Sequence, residues 1–183
     1  MKAYITSVGE KTTKLCEWAL SRNGFDTVLI EDKNTTLQSK LEFIYTQETK
    51  SFLRVDADII VNKNMTPQLL EKLSENSTIW WWQFIVFDWF KQDLGYSLAY
   101  IKQEAIKPLR NNISKFKDDI RPETRCSRID EFNNPRRLET FDKMIVGLHG
   151  YGTENLEPVI NLKKQRKQLD IYDFDLAKRI NEI

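Results

Sequence analysis

The chain has 183 residues, enough for about one domain with a sizeable core. Its 28 Lys+Arg against 27 Asp+Glu leave a net charge of +1, so no global field draws in nucleic acid or an anionic membrane. At 40% hydrophobic and 30% charged, with 6 Gly and 5 Pro, the chain is neither disordered nor collagenous nor coiled coil.

Residues 4–8 (YITSV) read as a buried strand running into Gly9. Residues 13–22 place Leu15, Trp18 and Ala19 on one helical face, and Asn23-Gly24 supplies the stop. Residues 27–31 (TVLIE) form a second strand, and Asn34, Thr35 and Thr36 offer a cap for a helix with Leu37, Leu41, Ile44 and Tyr45 inward. A third strand lies within 51–61. Thr66-Pro67 then opens a helix with Leu69, Leu70 and Leu73 as its stripe. Strand and helix alternate three times, the pattern of βαβ crossovers and a parallel sheet with helices on both faces.

The rhythm changes after residue 77. Residues 78–90 read as one long or bent strand, 96–101 as another, and 103–117 as a helix broken near Pro108. Residues 143–149 return to strand, and 158–169 and 174–182 close the chain as two short helices. The fold class is therefore α/β: a Rossmann-like, mostly parallel sheet with a mixed C-terminal half. Cys16 and Cys126 make no disulfide framework or zinc knuckle, which leaves a reduced, cytoplasmic setting as the expectation. The N-terminus is too polar for a signal peptide, and the aromatic run 79–90 is too short and interrupted to be a transmembrane segment.

The most informative stretch is FLRVDADIIVN (52–62). Asp56 and Asp58 end an apolar run two residues apart, so strand periodicity sends both carboxylates to one side. Ligands of parallel sheets bind beyond the carboxyl ends of the strands. Two carboxylates there repel unless a cation or donor sits between them, and oxygen ligands suit Mg²⁺ or Mn²⁺. The plain alternative is a strand-to-turn junction, where Asp is common.

The order YITSV, TVLIE, FLRVDADIIVN, a helix, an aromatic strand and GYSLAYIKQEAI resembles nucleotide-sugar-dependent glycosyltransferases of the GT-A fold, with Asp56-Ala57-Asp58 matching their D-x-D motif. The resemblance covers most of residues 1–150. It implies transfer of a sugar from a nucleoside-diphosphate sugar, UDP- or GDP-linked, to an unknown glycan, lipid or protein acceptor. It also implies Mn²⁺ or Mg²⁺ held by Asp58, Asp56 and a late-strand ligand, His149, the one histidine of the chain. Asp56 is implied to reach the ribose or the ion. A hydrogen-bonded strand-end histidine is the plain reading of His149, and a non-catalytic nucleotide or nucleotide-sugar binding domain is the alternative function.

Nucleotide contacts are expected from Thr6 and Ser7 at the end of the first strand and from Glu31 or Asp32 at the end of the second. Lys40 and Arg54 are expected to face phosphate. No G-x-G-x-x-G fingerprint or P-loop follows the first strand. The resemblance places a catalytic base between the GYSLAYI strand and the late strand, among Asp118, Asp119, Glu123 and Asp130; Glu123 is favoured because Pro122 is expected to start a helix there, and Asp119 stands next. Trp80, Trp81 and Trp82 are assigned to the core rather than to sugar stacking, since neighbours on a strand face opposite ways. The chain 1–183 is read as one domain: a nucleotide-binding half (1–76), an acceptor and catalytic half (77–157) and a helical tail (158–183). So short a tail leaves acceptor recognition to a partner, a homodimer or a simple acceptor.

Overall fold

The strand Lys2–Ser7 (β1) turns Ala3 and Ile5 to one face and Tyr4 to the other, all buried. That alternation is what a strand covered on both faces requires. The structure is a computed structural model and describes residues 1–89, 93–117, 119, 121–127, 129 and 145–150. The two expected closing helices, Asp118 and Asp130 lie outside the described residues.

Thr13–Arg22 (α1), Asp26–Glu31 (β2), Leu37–Gln47 (α2), Phe52–Asp56 (β3), Ile59–Val61 (β4) and Pro67–Ser74 (α3) follow β1. The expected caps hold. Thr36 Oγ1 accepts from Ser39 N at 3.2 Å, and Thr66 Oγ1 accepts from Leu69 N at 3.2 Å, with Pro67 in the first turn. Then come Trp81–Asp88 (β5), Asp93–Ile101 (β6), Gln103–Asn112 (α4), a 3₁₀ turn at Ile113–Phe116, Pro122–Cys126 (α5) and Gly147–His149 (β7). Helix α4 runs through Pro108 instead of breaking there. Its apolar stripe of Ala105, Ile106 and Leu109 is buried, which outweighs the one hydrogen bond that proline removes.

The seven strands among the described residues form one sheet in the order β2-β1-β3-β6-β5-β7-β4. Pairings β1–β2, β1–β3 and β5–β7 are parallel, while β3–β6, β5–β6 and β4–β7 are antiparallel, so the sheet is mixed rather than mostly parallel. Only Ala57 and Asp58 join β3 to β4, although three strands separate them in the sheet. Four steps in a flat sheet amount to about 19 Å, whereas so short a link spans at most roughly 11 Å. The sheet must therefore curl, returning β4 to the end of β3.

Helices cover both faces. One core joins Ala3, Ile5, Leu53, Val55 and Phe84 to Cys16, Ala19 and Leu20 of α1 and Leu70 of α3. The other joins Tyr4, Phe52, Trp81 and Ile101 to Leu41, Ile44 and Tyr45 of α2, to α4 and to Cys126. Trp81 and Trp82 fall in opposite cores, both buried, as strand alternation requires. Helix α1 departs from expectation: Leu15 and Trp18 face outward, 43% and 56% exposed, and Trp18 lies under the Arg22 guanidinium. The inward stripe is the smaller set Thr13, Cys16, Ala19 and Leu20. Small side chains let α1 sit close to the sheet, where Cys16 Sγ lies 3.8 Å from the carbonyl oxygen of Asp56.

Candidate active site

The parallel registers Thr6↔Asp56 and Ser7↔Glu31 align the carboxyl ends of β1, β2 and β3. This is the end of a parallel sheet where ligands bind. Arg54 and Asp56 follow Phe52 on the α2-facing side of β3, and they form an ion pair. Thr6 Oγ1 donates to Asp56 Oδ1 at 3.0 Å, the oxygen that Arg54 also holds. Arg54 is 2% exposed. Burial works against its charge, but Asp56 and then Glu123 outweigh burial and raise its pKa, so the guanidinium stays ionised. Its role is thus to hold the first aspartate of D-A-D from beneath the sheet's end.

Strand periodicity does not reach Asp58. Strand β3 ends at Asp56, residues 57 and 58 turn, and the two carboxylates meet different partners. Asp58 Oδ2 lies 3.3 Å from His149 Nε2, and the other ring nitrogen, Nδ1, lies 3.2 Å from Asp88 Oδ2. The topology explains the meeting. Strand β7 inserts between β5 and β4, so His149 is opposite Ile59 on one side and opposite Asp88 on the other. Gly150 N donates to the Asp58 carbonyl at 3.0 Å, and Trp89 N donates to the His149 carbonyl at 2.9 Å. Gly147 permits the approach: a Cβ there would stand 2.8 Å from the Ile60 carbonyl oxygen. Burial acts to lower the His149 pKa, but Asp58 and then Asp88 outweigh it and hold it up at about 10. As it stands, the ring is a cation between two carboxylates.

The same pair is also suited to a divalent ion. Neighbouring ligand atoms of a six-coordinate ion with bonds of roughly 2.1 Å lie about 3 Å apart, close to the Asp58–His149 separation. Among the described residues no group of three or more His, Cys, Asp and Glu is gathered as a ready ligand set. The reason is visible: Asp88 meets the far side of the imidazole, and Asp56 Oδ1 is held by Arg54 and Thr6. A divalent ion there would have two protein donors among the described residues and would take the rest of its sphere from ligand oxygens and water, as Mg²⁺ usually does.

The other expected contacts are placed as follows. Ser7 is buried; its hydroxyl donates to Glu10 Oε2 at 2.7 Å, and Glu31 Oε2 lies 3.4 Å away. Lys40, 3% exposed, donates from Nζ to the Ser7 carbonyl at 2.5 Å, tying α2 to the end of β1. Asp32 accepts from Asn34 N at 2.8 Å and from the Thr35 hydroxyl, and that hydroxyl first of all holds its pKa down. Glu31 and Asp32 are exposed at the rim. Asp119 pairs with Arg125 Nε at 2.8 Å. Glu123 opens α5 as expected, but it lies in the electrostatic reach of buried Arg54, and its Oε2 is buried without a hydrogen-bond partner among the described residues. A cavity of about 780 Å³ lies at the opposite end of these strands, beside Met1, Ser51 and Lys102. Sequence reasoning missed Asp88 and Glu10; Asp88 closes the aromatic run of β5, and only that strand-end position marks it.

The chain matches no family model and no curated protein. Among solved structures it is similar to a glycosyltransferase involved in the glycosylation of the major capsid of PBCV-1. The TM-score is 0.57 at 16% identity, covering 89% of this chain and 98% of that one. That likeness shows a shared α/β fold. More distant are A197 from STIV (TM-score 0.42, 15% identity, 58% of this chain and 66% of that one) and a hypothetical transferase from Thermus thermophilus (TM-score 0.42, 11% identity, 69% and 76%).

Proposed function

We propose that this protein is a metal-dependent glycosyltransferase of GT-A type that transfers a sugar from a nucleoside-diphosphate sugar to an acceptor. The observation that carries the reading is the convergence of Asp58 and His149, distant in sequence, beside Asp56 at the carboxyl ends of β1 and β3. The shared fold with a viral glycosyltransferase supports it. In this reading Asp58 and His149 hold Mn²⁺ or Mg²⁺, which, when bound, offsets the charge of the departing diphosphate. Asp56, fixed through one oxygen by Arg54 and Thr6, presents its other oxygen to the ion or the ribose. Glu31 and Asp32 at the rim accept from ribose or base, and Ser7 shapes the floor beneath them. Glu123 and Asp119 are the catalytic-base candidates among the described residues.

The state of both base candidates favours a second reading, a nucleotide-sugar binder without turnover: Asp119 is paired with Arg125, and Glu123 lies within electrostatic reach of buried Arg54. A panel of UDP- and GDP-sugars incubated with the protein and Mn²⁺ separates the two. The transferase reading expects Mn²⁺-dependent release of nucleoside diphosphate that falls at least a hundredfold in Asp58→Ala. Tight binding of a nucleotide sugar with no release, across acceptors, decides for the binder.

A further inference from the structure

We propose that Asp88 is the positioning residue of the metal site: it holds His149 by Nδ1 so that Nε2 faces Asp58 and the ion. The inference rests on the metal-site reading above and extends it to a residue outside the D-x-D motif. Asp88 ends β5 and is the parallel-strand neighbour of His149. It is 6% exposed, so its carboxylate has little water and depends on protein donors. His149 Nδ1 stands 3.2 Å from its Oδ2.

The two nitrogens of an imidazole point away from each other, so whatever occupies one decides what the other can do. Ligation requires the ring to give up its Nε2 proton; with Nδ1–H kept on Asp88, the lone pair is then at Nε2, 3.3 Å from Asp58 Oδ2. The backbone is fixed on both flanks by the Trp89 N to His149 carbonyl bond and the Gly150 N to Asp58 carbonyl bond. Ring rotation is therefore the main freedom left to His149, and Asp88 removes it. Without Asp88 the ring can turn or present the other tautomer, and the second protein ligand is lost for part of the population.

His149 is the single histidine, so its two nitrogen resonances in the ¹⁵N-labelled full chain, prepared without a histidine tag, report this site alone. With Zn²⁺ as the diamagnetic probe, Nε2 is expected to shift on binding while Nδ1 stays protonated. In Asp88→Asn, shown to be folded by its melting curve, Mn²⁺ affinity by calorimetry is expected to fall about 10–100-fold, and the Zn²⁺-bound ring to show mixed tautomers. Metal on Nδ1 in the wild type overturns the proposal and needs no variant. So does an Asp88→Asn protein with affinity within twofold and an unchanged tautomer, while Asp58→Ala still loses the metal. If neither nitrogen responds to Zn²⁺ and Mn²⁺ does not bind, the metal-site reading falls with it.

Discussion

Asp56 and Asp58 are neighbours in the motif, yet the fold uses them differently. Asp56 compensates a buried guanidinium, whereas Asp58 faces an imidazole at the turn. Removing one partner of a buried ion pair leaves the other charge stranded. The Asp56 carboxylate is one-third exposed, so the cost falls below the fully buried range: Asp56→Ala should lose about 2 kcal/mol in urea unfolding. A loss under about 0.5 kcal/mol, the scale of an exposed pair, would show that Arg54 finds solvent instead. The cysteines give a second check. Burial pushes the Cys126 thiol up to about 12, and burial followed by Asp58 and Asp56 pushes Cys16 well above the ordinary thiol range. Thiolate is the reactive form. Both residues should thus resist iodoacetamide at pH 8 in the folded protein and react on unfolding, as mass spectrometry of the alkylated chain will register. Fast modification of the native protein would contradict the packing of α1 under the D-A-D turn.

At the scale of elements, β7 is the short strand on which the site depends. It brings His149 between β4 and β5, and Gly147 lets it approach β4. Gly147→Ala forces a methyl against the Ile60 carbonyl. The expected outcome is about 1–3 kcal/mol of destabilisation together with weaker Mn²⁺ binding; a variant with unchanged melting temperature and metal affinity would refute the close crossing. Much of the framework was legible in sequence because its signals are local. Thr36 and Thr66 cap their helices, Gly24 ends α1 with a φ of +91°, and β1 alternates within six residues. Helix α1 misled because Leu15 and Trp18 share the helical period with the smaller stripe that packs. Asp56 and Asp58 stood out through their spacing and resemblance. Asp88 did not, because only the long-range insertion of β7 beside β5 makes it a neighbour of His149, and no spacing encodes that pairing.

Across the whole molecule, the near-neutral charge gives no long-range pull on an anionic ligand, so a diphosphate must be held by local charge. At the strand ends Arg54 and His149 already offset Asp56, Asp58 and Asp88, while Glu31 and Asp32 stay exposed at the rim. No helix among the described residues is long and apolar enough to cross a membrane. The fold shared with a solved glycosyltransferase spans nearly all of that enzyme. On that scaffold Asp58 and His149 are proposed to hold a divalent ion which in turn binds a nucleoside diphosphate. Calorimetric titration of the full chain with UDP and with GDP, in Mn²⁺ and in EDTA, tests it most directly. Binding of one of them is expected to be at least tenfold tighter in Mn²⁺, a gain that disappears in Asp58→Ala and in His149→Ala. Equal affinity in Mn²⁺ and EDTA for both nucleotides, or a gain that survives both substitutions, would contradict it.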